Sequence, residues 1–328
     1  MTQSFTAKHF DPGRREGAIR FTDGSVVLRL DDERSYIYSD VVILAVNVAL
    51  ATRRPLLLAG SPGTGKSTLA ANVAGVLGWK FYSRVISSRT KAADLMWTFD
   101  ALRRLSDAQA STRAGKSSLL PRAAYLQPQE LWWAFDADSA LRRGAPGHGP
   151  RVPKAADPQA GTPGECAVVL LDEIDKAEPD VPNDLLEALD AESFTVDALD
   201  PPLRVVGSRD RVLLVITTNG ERELPTAFIR RCVVLRLTPP TEDQLVRIAD
   251  DRFPGPGGLH RPLARRLVEL RKAAARQNLR EPSTAEYLDA LAACRELGVS
   301  YPSGQWDLLE QSLLWKRDRP DPPPAESV

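Results

Sequence analysis

The stretch PLLLAGSPGTGKSTLAANVAGVLG, residues 55–78, carries the most informative motif of the chain. The short apolar run at its start predicts a buried strand, and the run TLAANVAGVLG predicts a helix. Between them, GSPGTGKS matches the pattern G-x-x-x-x-G-K-[ST], whose glycines let backbone N–H groups converge on phosphate oxygens at a helix N-terminus. The stretch therefore predicts a phosphate-binding loop in an α/β fold.

The lysine and the serine of this motif have separate expected roles. Lys66 is expected to reach the β and γ oxygens of a nucleotide, and the Ser67 hydroxyl to hold Mg²⁺. The pattern arises by chance in roughly one chain of this size in a hundred, and the flanking strand and helix make chance rarer still. The expected nucleotide-binding residues are Gly60, Ser61, Pro62, Gly63, Thr64, Gly65, Lys66, Ser67 and Thr68.

A second apolar run, AVVLLDE, ends in two carboxylates, Asp172 and Glu173. Functional residues of a parallel sheet lie at the carboxyl ends of its strands, so both are expected beside the phosphate loop. Asp172 is the expected metal-shell residue, and Glu173 the general base that polarises the attacking water. The alternative is a solvated acidic turn, because DEIDKAE carries three further charges. The two carboxylates favour hydrolysis over passive nucleotide binding.

Taken together, these motifs resemble the AAA+ ATPases and, within them, the MoxR-like, dynein-related group. GSPGTGKST is similar to the Walker A motif of the family, VVLLDEIDKAEPDVPNDLLEALD to its Walker B motif, and LLVITTNGERELPTAFIRRCVVLRL to its sensor 1 and arginine-finger segment. The resemblance implies a P-loop NTPase with a parallel sheet sandwiched by helices, followed by a C-terminal all-helical lid domain. It also implies ATP and Mg²⁺ as cofactors.

The third motif supplies three more expected site residues. On the resemblance, Asn219 is sensor 1 and orients the lytic water; the alternative is an asparagine that only turns the loop before Gly220. Arg230 and Arg231 lie where the family has its arginine finger. One is expected to reach the γ-phosphate of the neighbouring subunit while the other pairs within its own domain, with Arg231 slightly favoured as the finger. Alternatively, both are plain surface arginines.

A sensor 2 arginine, common in the family, is missing from its usual place. The lid helix that begins PSTAEYLDAL has Ala285 there, and Arg280 just upstream is the candidate substitute. Lid closure is therefore expected to use another contact if Arg280 does not serve.

Strands alternate with helices up to TPP at 238–240, after which only helical patterns follow. The glycine- and proline-rich segment 143–165 predicts an exposed, mobile loop. The predicted domains are a leader with two short strands (1–39), an α/β nucleotide-binding domain (40–240) with an insert near 91–165, a helical lid (241–318) and a disordered tail (319–328).

The insert makes the gap between Lys66 and Asp172 longer than a strand–helix–strand crossover needs. It resembles the helix 2 insert of the MoxR-like group, which faces the pore or a partner. Adjacent residues point in different directions, so we expect Trp132 or Trp133 to pack inward with Leu131 and the other to lie at a partner or pore surface. Alternatively both pack against the insert's own helices and the Pro128 turn. Trp97 and Phe99 are expected in the same cluster.

Composition narrows the class of partner. Lysine plus arginine equals aspartate plus glutamate at 43 each, which speaks against nucleic acid. Three scattered cysteines and three isolated histidines predict no metal cluster or catalytic triad. The polar start and the lack of a long apolar run predict no signal peptide and no membrane span, and hence a cytoplasmic protein. Tyr36 and Tyr38 are expected either to contact adenine, as in relatives, or to pack in the core.

The resulting hypothesis is ATP hydrolysis by a homo-oligomeric ring, expected to be a hexamer, coupled to remodelling of a protein partner in trans. Relatives commonly work with von Willebrand factor A domain proteins, which the resemblance alone implies. One alternative is a nucleotide-controlled signalling or assembly switch in a bacterial defence-type system. Another is a dynein-related motor that acts on nucleic acid, which the balanced charge disfavours.

Overall fold

The computed structural model describes residues 9–30, 35–113, 119–146, 152–208, 210–255, 257–277 and 279–315. The predicted tail at 319–328 lies outside these residues. The chain divides into two units, one of Met1–Gly60 with Lys66–Leu237 and one of Ser61–Gly65 with Thr238–Val328. The strands are β1 (Ile19–Arg20), β2 (Val26–Arg29), β3 (Ser35–Tyr38), β4 (Leu56–Ala59), β5 (Lys80–Val85), β6 (Trp97–Phe99), β7 (Leu126–Pro128), β8 (Ala167–Asp172), β9 (Ser193–Val196), β10 (Leu203–Val206), β11 (Val212–Thr218) and β12 (Val233–Arg236).

The helices follow the same chain order. They are α1 (Asp40–Thr52), α2 (Lys66–Leu77), α3 (Ala101–Arg113), α4 (Glu130–Phe135), α5 (Ala137–Leu141), α6 (Asp180–Asp190), α7 (Thr226–Arg231), α8 (Glu242–Arg252), α9 (His260–Arg276), α10 (Thr284–Leu297) and α11 (Gly304–Leu313). None of these described helices is both long and apolar enough to cross a membrane.

The first unit is built on a five-stranded sheet of order β12-β4-β11-β8-β5, in which all pairs are parallel. Its three inner strands, β4, β11 and β8, are nearly continuous apolar runs because both of their faces are covered. Leu56, Leu58 and Val215 belong to the core shared with α1 and α2, whereas Leu57 and Ile216 belong to the core shared with α4 and α6. This alternation confirms the predicted α/β class, a parallel sheet between layers of helices.

An antiparallel sheet of order β1-β2-β3 precedes the central sheet. The first two strands confirm the two predicted ones, and β3, formed by SYIY, was not predicted. Tyr36 and Tyr38 on β3 are both buried, and the Tyr38 ring lies 4.9 Å from that of Tyr36 and 5.6 Å from that of Phe10. The core-packing alternative is therefore the one that these two side chains adopt.

The insert brings both tryptophans into the core. Trp132 is 0% exposed and Trp133 is 5% exposed, and α4 contacts β5, β8 and β10. The Trp132 ring lies 6.0 Å from that of Phe194, and its Nε1 donates to Ser139 Oγ at 3.3 Å. A short helix enclosed by these strands can bury neighbours that point about 100° apart. The expectation that one tryptophan lies at a surface is wrong. The alternative, in which both pack within the insert, is incomplete because α4 also contacts β5, β8 and β10.

Two other predictions concern the insert. Trp97 and Phe99 pack against the tryptophan cluster, as expected. The segment 143–165 is largely exposed, as expected, since ten of its 18 described residues are exposed. It is nevertheless anchored, because Arg143 and Ala155 are buried and Asp157 pairs with Lys80 at 3.0 Å. Proline and glycine exclude regular structure but leave individual side chains able to pack.

Because both tryptophans are core residues, we expect Trp132→Ala and Trp133→Ala each to lower the free energy of unfolding by about 3–5 kcal/mol. Urea denaturation measures the change. Leu102→Ala is the matched control, since Leu102 on α3 is 79% exposed and should change stability by less than about 0.5 kcal/mol. A cost below about 1 kcal/mol for Trp133→Ala would restore a surface role for that side chain.

The second unit contains α8 to α11 around an apolar core that includes Leu263, Leu267 and Trp306. A capping box opens α8, since Thr241 N donates to Gln244 Oε1 at 2.9 Å and Gln244 N donates to Thr241 Oγ1 at 3.4 Å. A second capping box joins Ser283 and Glu286 at the start of α10. Within this unit Arg280 donates to Glu286 Oε1 at 3.0 Å, so the candidate sensor 2 residue is engaged with the cap of α10.

Candidate active site

The predicted motifs meet at the carboxyl edge of the central sheet. Gly60 directly follows β4, Asp172 ends β8, and Asn219 directly follows β11. Lys66 and Ser67 open α2, which follows the loop after β4. Because the three strands are parallel neighbours, their ends bring these residues to one place.

Lys66 is nearly enclosed, at 6% exposure. Its Nζ donates to Gly60 O at 2.7 Å and to Asn219 Oδ1 at 2.8 Å. Burial lowers the pKa of the ammonium below its ordinary value, while the nearby carboxylates of Asp172, Asp175 and Glu173 act in the opposite direction. A phosphate anion beside Nζ would further favour the charged form, so the position suits an anionic ligand.

Ser67 and Asp172 form the second pair of the site. Ser67 Oγ donates to Asp172 Oδ2 at 2.8 Å, and Thr217 Oγ1 donates to Asp172 Oδ1. A hydroxyl and a carboxylate are the hard oxygen ligands that Mg²⁺ takes in phosphate-transfer sites. No group of three or more histidine, cysteine or acidic side chains suited to a metal occurs in the described part of the chain. Mg²⁺ does not need one, because it keeps waters and binds substrate phosphates.

Glu173 has a strained backbone and a fully engaged carboxylate. Its φ of 62° lies in the left-handed region, which non-glycine residues seldom adopt and which clusters at functional sites. Its N donates to Thr217 Oγ1 at 2.8 Å. Oε1 accepts from Asn219 Nδ2 at 3.2 Å and Oε2 from Lys176 Nζ at 2.6 Å. The hydrogen bond to Glu173 raises the pKa of the Lys176 ammonium.

Asn219 therefore does more than turn a loop. Its Oδ1 accepts from Lys66 and its Nδ2 donates to Glu173, so one side chain joins the first and second motifs. The next residue, Gly220, has a φ of 77°, so the turn expected in the alternative reading is also present.

Sequence reasoning missed Thr217, Asp175 and Lys176, which hold Asp172, Asn219 and Glu173 respectively. Thr217 lies inside the apolar strand β11, where threonine is an ordinary strand former. Asp175 and Lys176 lie in the acidic turn that was weighed only as a solvated alternative. For Thr217, the signal that could have identified it was a polar residue near the end of a buried strand.

Arg230 and Arg231 are not brought to this edge. They end α7, and β12 begins two residues later with Val233 paired to Leu56. Val215 is paired to the same Leu56, four residues before Asn219, so the arginines lie at the amino edge, about 13 Å of strand away. Both arginines are exposed, and Arg231, the slightly favoured finger, pairs with Asp190 of its own unit at 3.2 Å.

A comparison of the sequence with known protein families agrees with the arrangement of this site. The model of the AAA domain (dynein-related subfamily) matches residues 55–232, which run from one residue before β4 to one residue after α7. No curated protein matches the chain. Members of the AAA family are P-loop NTPases that usually form oligomeric rings. Since the matched range holds more than half of the chain and contains Lys66, Asp172, Glu173 and Asn219, the protein belongs to the dynein-related subfamily of AAA domains.

Proposed function

We propose that this chain hydrolyses ATP at the carboxyl edge of its central sheet. The observation that carries the proposal is the network in which Asn219 joins Lys66 to Glu173. It supports one site for phosphate binding and for activation of water, rather than separate local features. The second carboxylate, Asp172, supports the same reading because it is already paired with the Ser67 hydroxyl at 2.8 Å.

Each residue has a role in this proposal. The backbone N–H groups of the loop at 60–65 and the first turn of α2 bind the phosphates, with Lys66 on the β and γ oxygens. Ser67 and Asp172 would hold Mg²⁺, which neutralises phosphate charge when bound. Asn219 orients the water. The water oxygen bonds to the γ-phosphorus, the bond to the leaving ADP oxygen breaks, and Glu173 takes the proton of the water.

The arginine finger is proposed to be Arg230, acting on the site of a neighbouring copy. Its place at the amino edge supports action in trans, because its own site lies at the opposite edge. The ion pair of Arg231 with Asp190 supports the structural role for that arginine. A ring of identical copies, proposed to be a hexamer, repeats this head-to-tail contact until it closes.

If the finger comes from a neighbour, specific ATPase activity should rise steeply as the protein is concentrated. We expect dilute, monomeric protein to be nearly inactive and the rise to coincide with assembly, because the transition-state charge lacks its guanidinium in a monomer. Phosphate release across a dilution series, paired with sedimentation, measures this. Constant specific activity under conditions where sedimentation shows monomers would exclude a finger in trans.

We propose the process that ATP hydrolysis drives from the resemblance to the MoxR-like group. A MoxR-like remodelling ATPase, acting on a protein partner such as a von Willebrand factor A domain protein, fits the motifs quoted above. The ion pair between Lys176 and Glu173 favours slow basal turnover, because it engages the proposed base. That observation also suits a nucleotide-controlled switch as a second candidate. A rapid ATPase rate with no partner present would count against the switch.

A further inference from the structure

Asp175 is a buried carboxylate with no role in the proposed chemistry. It lies in the 3-10 helix Ile174–Lys176 after β8 and is only 2% exposed. Its Oδ2 accepts from the backbone N of Asn219 at 3.0 Å and of Glu221 at 2.9 Å. Its Oδ1 is buried and has no hydrogen-bond partner among the described residues.

This arrangement is a poor way to stabilise a fold. Lys66 and Lys176 lie close enough to favour its charge, but a buried carboxylate oxygen without a hydrogen-bond partner still carries a desolvation penalty. Buried polar groups left in this state are rare and call for another explanation. The position of Asp175 provides an explanation, because one of its oxygens accepts hydrogen bonds from the backbone on both sides of Gly220.

The loop held in this way determines where the Asn219 side chain lies. Gly220 has a φ of 77° and its N donates to Thr218 Oγ1 at 3.0 Å. The conformation of the turn is therefore held by the Asp175 carboxylate and the Thr218 hydroxyl. The Asn219 amide must meet Lys66 at 2.8 Å and Glu173 at 3.2 Å at once. A displacement of about 1 Å at this backbone would break one of these contacts.

We propose that Asp175 is a positioning residue for ATP hydrolysis, which holds the backbone of Asn219 so that its amide spans the phosphate-binding lysine and the catalytic base. The inference rests on the proposed function. Asp175 acts through Asn219 and does not itself touch the substrate. The expected signature is a fall in kcat with ATP binding retained, since the phosphate loop is left intact.

The test compares Asp175→Ala, Asp175→Asn and the control Asp184→Asn, which alters an exposed aspartate on α6. For each variant, kcat and KM are measured by phosphate release, the dissociation constant with a fluorescent ATP analogue, and folding by thermal denaturation. Asp175→Ala should lower kcat about 10- to 100-fold while KM and the dissociation constant stay within about twofold. Asp184→Asn should match the wild type.

Asp175→Asn separates the effect of the hydrogen bonds from that of the space the side chain fills. It also remains informative if the alanine variant does not fold. Its carbonyl oxygen can accept the same two bonds, but a neutral acceptor is weaker by about 1 kcal/mol, so kcat should fall about fivefold. Unchanged kcat in the asparagine variant, or equal losses of kcat and of ATP affinity in either variant, would overturn the inference. A wild-type protein that binds but does not hydrolyse ATP in its assembled state would instead refute the proposed function.

Discussion

Glu173→Gln is expected to bind ATP normally and to lose hydrolysis by about 100- to 10,000-fold, the range that a general base contributes. Glutamine has the same shape, and its amide oxygen can still accept from Asn219 Nδ2. It cannot take a proton from water. The ion pair with Lys176 that this variant loses is partly exposed and worth at most about 1 kcal/mol, so stability should hardly change.

Single-turnover phosphate release and binding of a fluorescent ATP analogue separate these two effects. Lys66→Ala is the matched control, because it should weaken ATP binding itself. Glu173→Gln loaded with ATP should also retain the protein partner of the remodelling proposal. Residual hydrolysis above about one tenth of the wild-type rate would show that another group serves as the base.

Arg230→Ala is expected to lower kcat about 1,000-fold or more, the lower bound of what an arginine finger contributes, while each protomer still binds ATP. The physical reason is that a guanidinium supplied by the neighbour offsets charge that develops only in the transition state. Folding should be unaffected, because Arg230 is exposed at the end of α7.

Arg231→Ala provides the matched comparison at the adjacent position. It breaks an exposed ion pair with Asp190 and should cost at most about 1 kcal/mol of stability. Its kcat should stay close to that of the wild type. If Arg231→Ala abolishes turnover and Arg230→Ala does not, the two arginines have the opposite assignment.

Local chemistry explains what could be predicted from the sequence. The loop around Lys66 and the carboxylates after β8 are contiguous motifs on strand ends, so both the elements and their meeting at one edge follow from a parallel sheet. The sequence placed Asn219 near them only through resemblance. The structure adds that its two amide atoms contact Lys66 and Glu173.

Tertiary packing explains what could not be predicted. Helix α4, which carries Trp133, is enclosed by β5, β8 and β10, and β10 lies about 70 residues further along the chain, so no local pattern announces such a neighbour. The burial of Arg143 in a glycine- and proline-rich segment has the same origin. Asp175 escaped notice because its role depends on two backbone N–H groups across the site. Backbone partners leave no trace in a sequence.

The central claim, ATP hydrolysis at a site completed by a neighbouring copy, is tested most directly by mixing Glu173→Gln with Arg230→Ala. Each variant alone should be nearly inactive. In mixed oligomers an Arg230→Ala protomer keeps its own base and receives Arg230 from a Glu173→Gln neighbour. An equimolar mixture should therefore recover about a quarter of the wild-type ATPase activity. No recovery in mixtures shown to contain both variants in one oligomer would contradict the account.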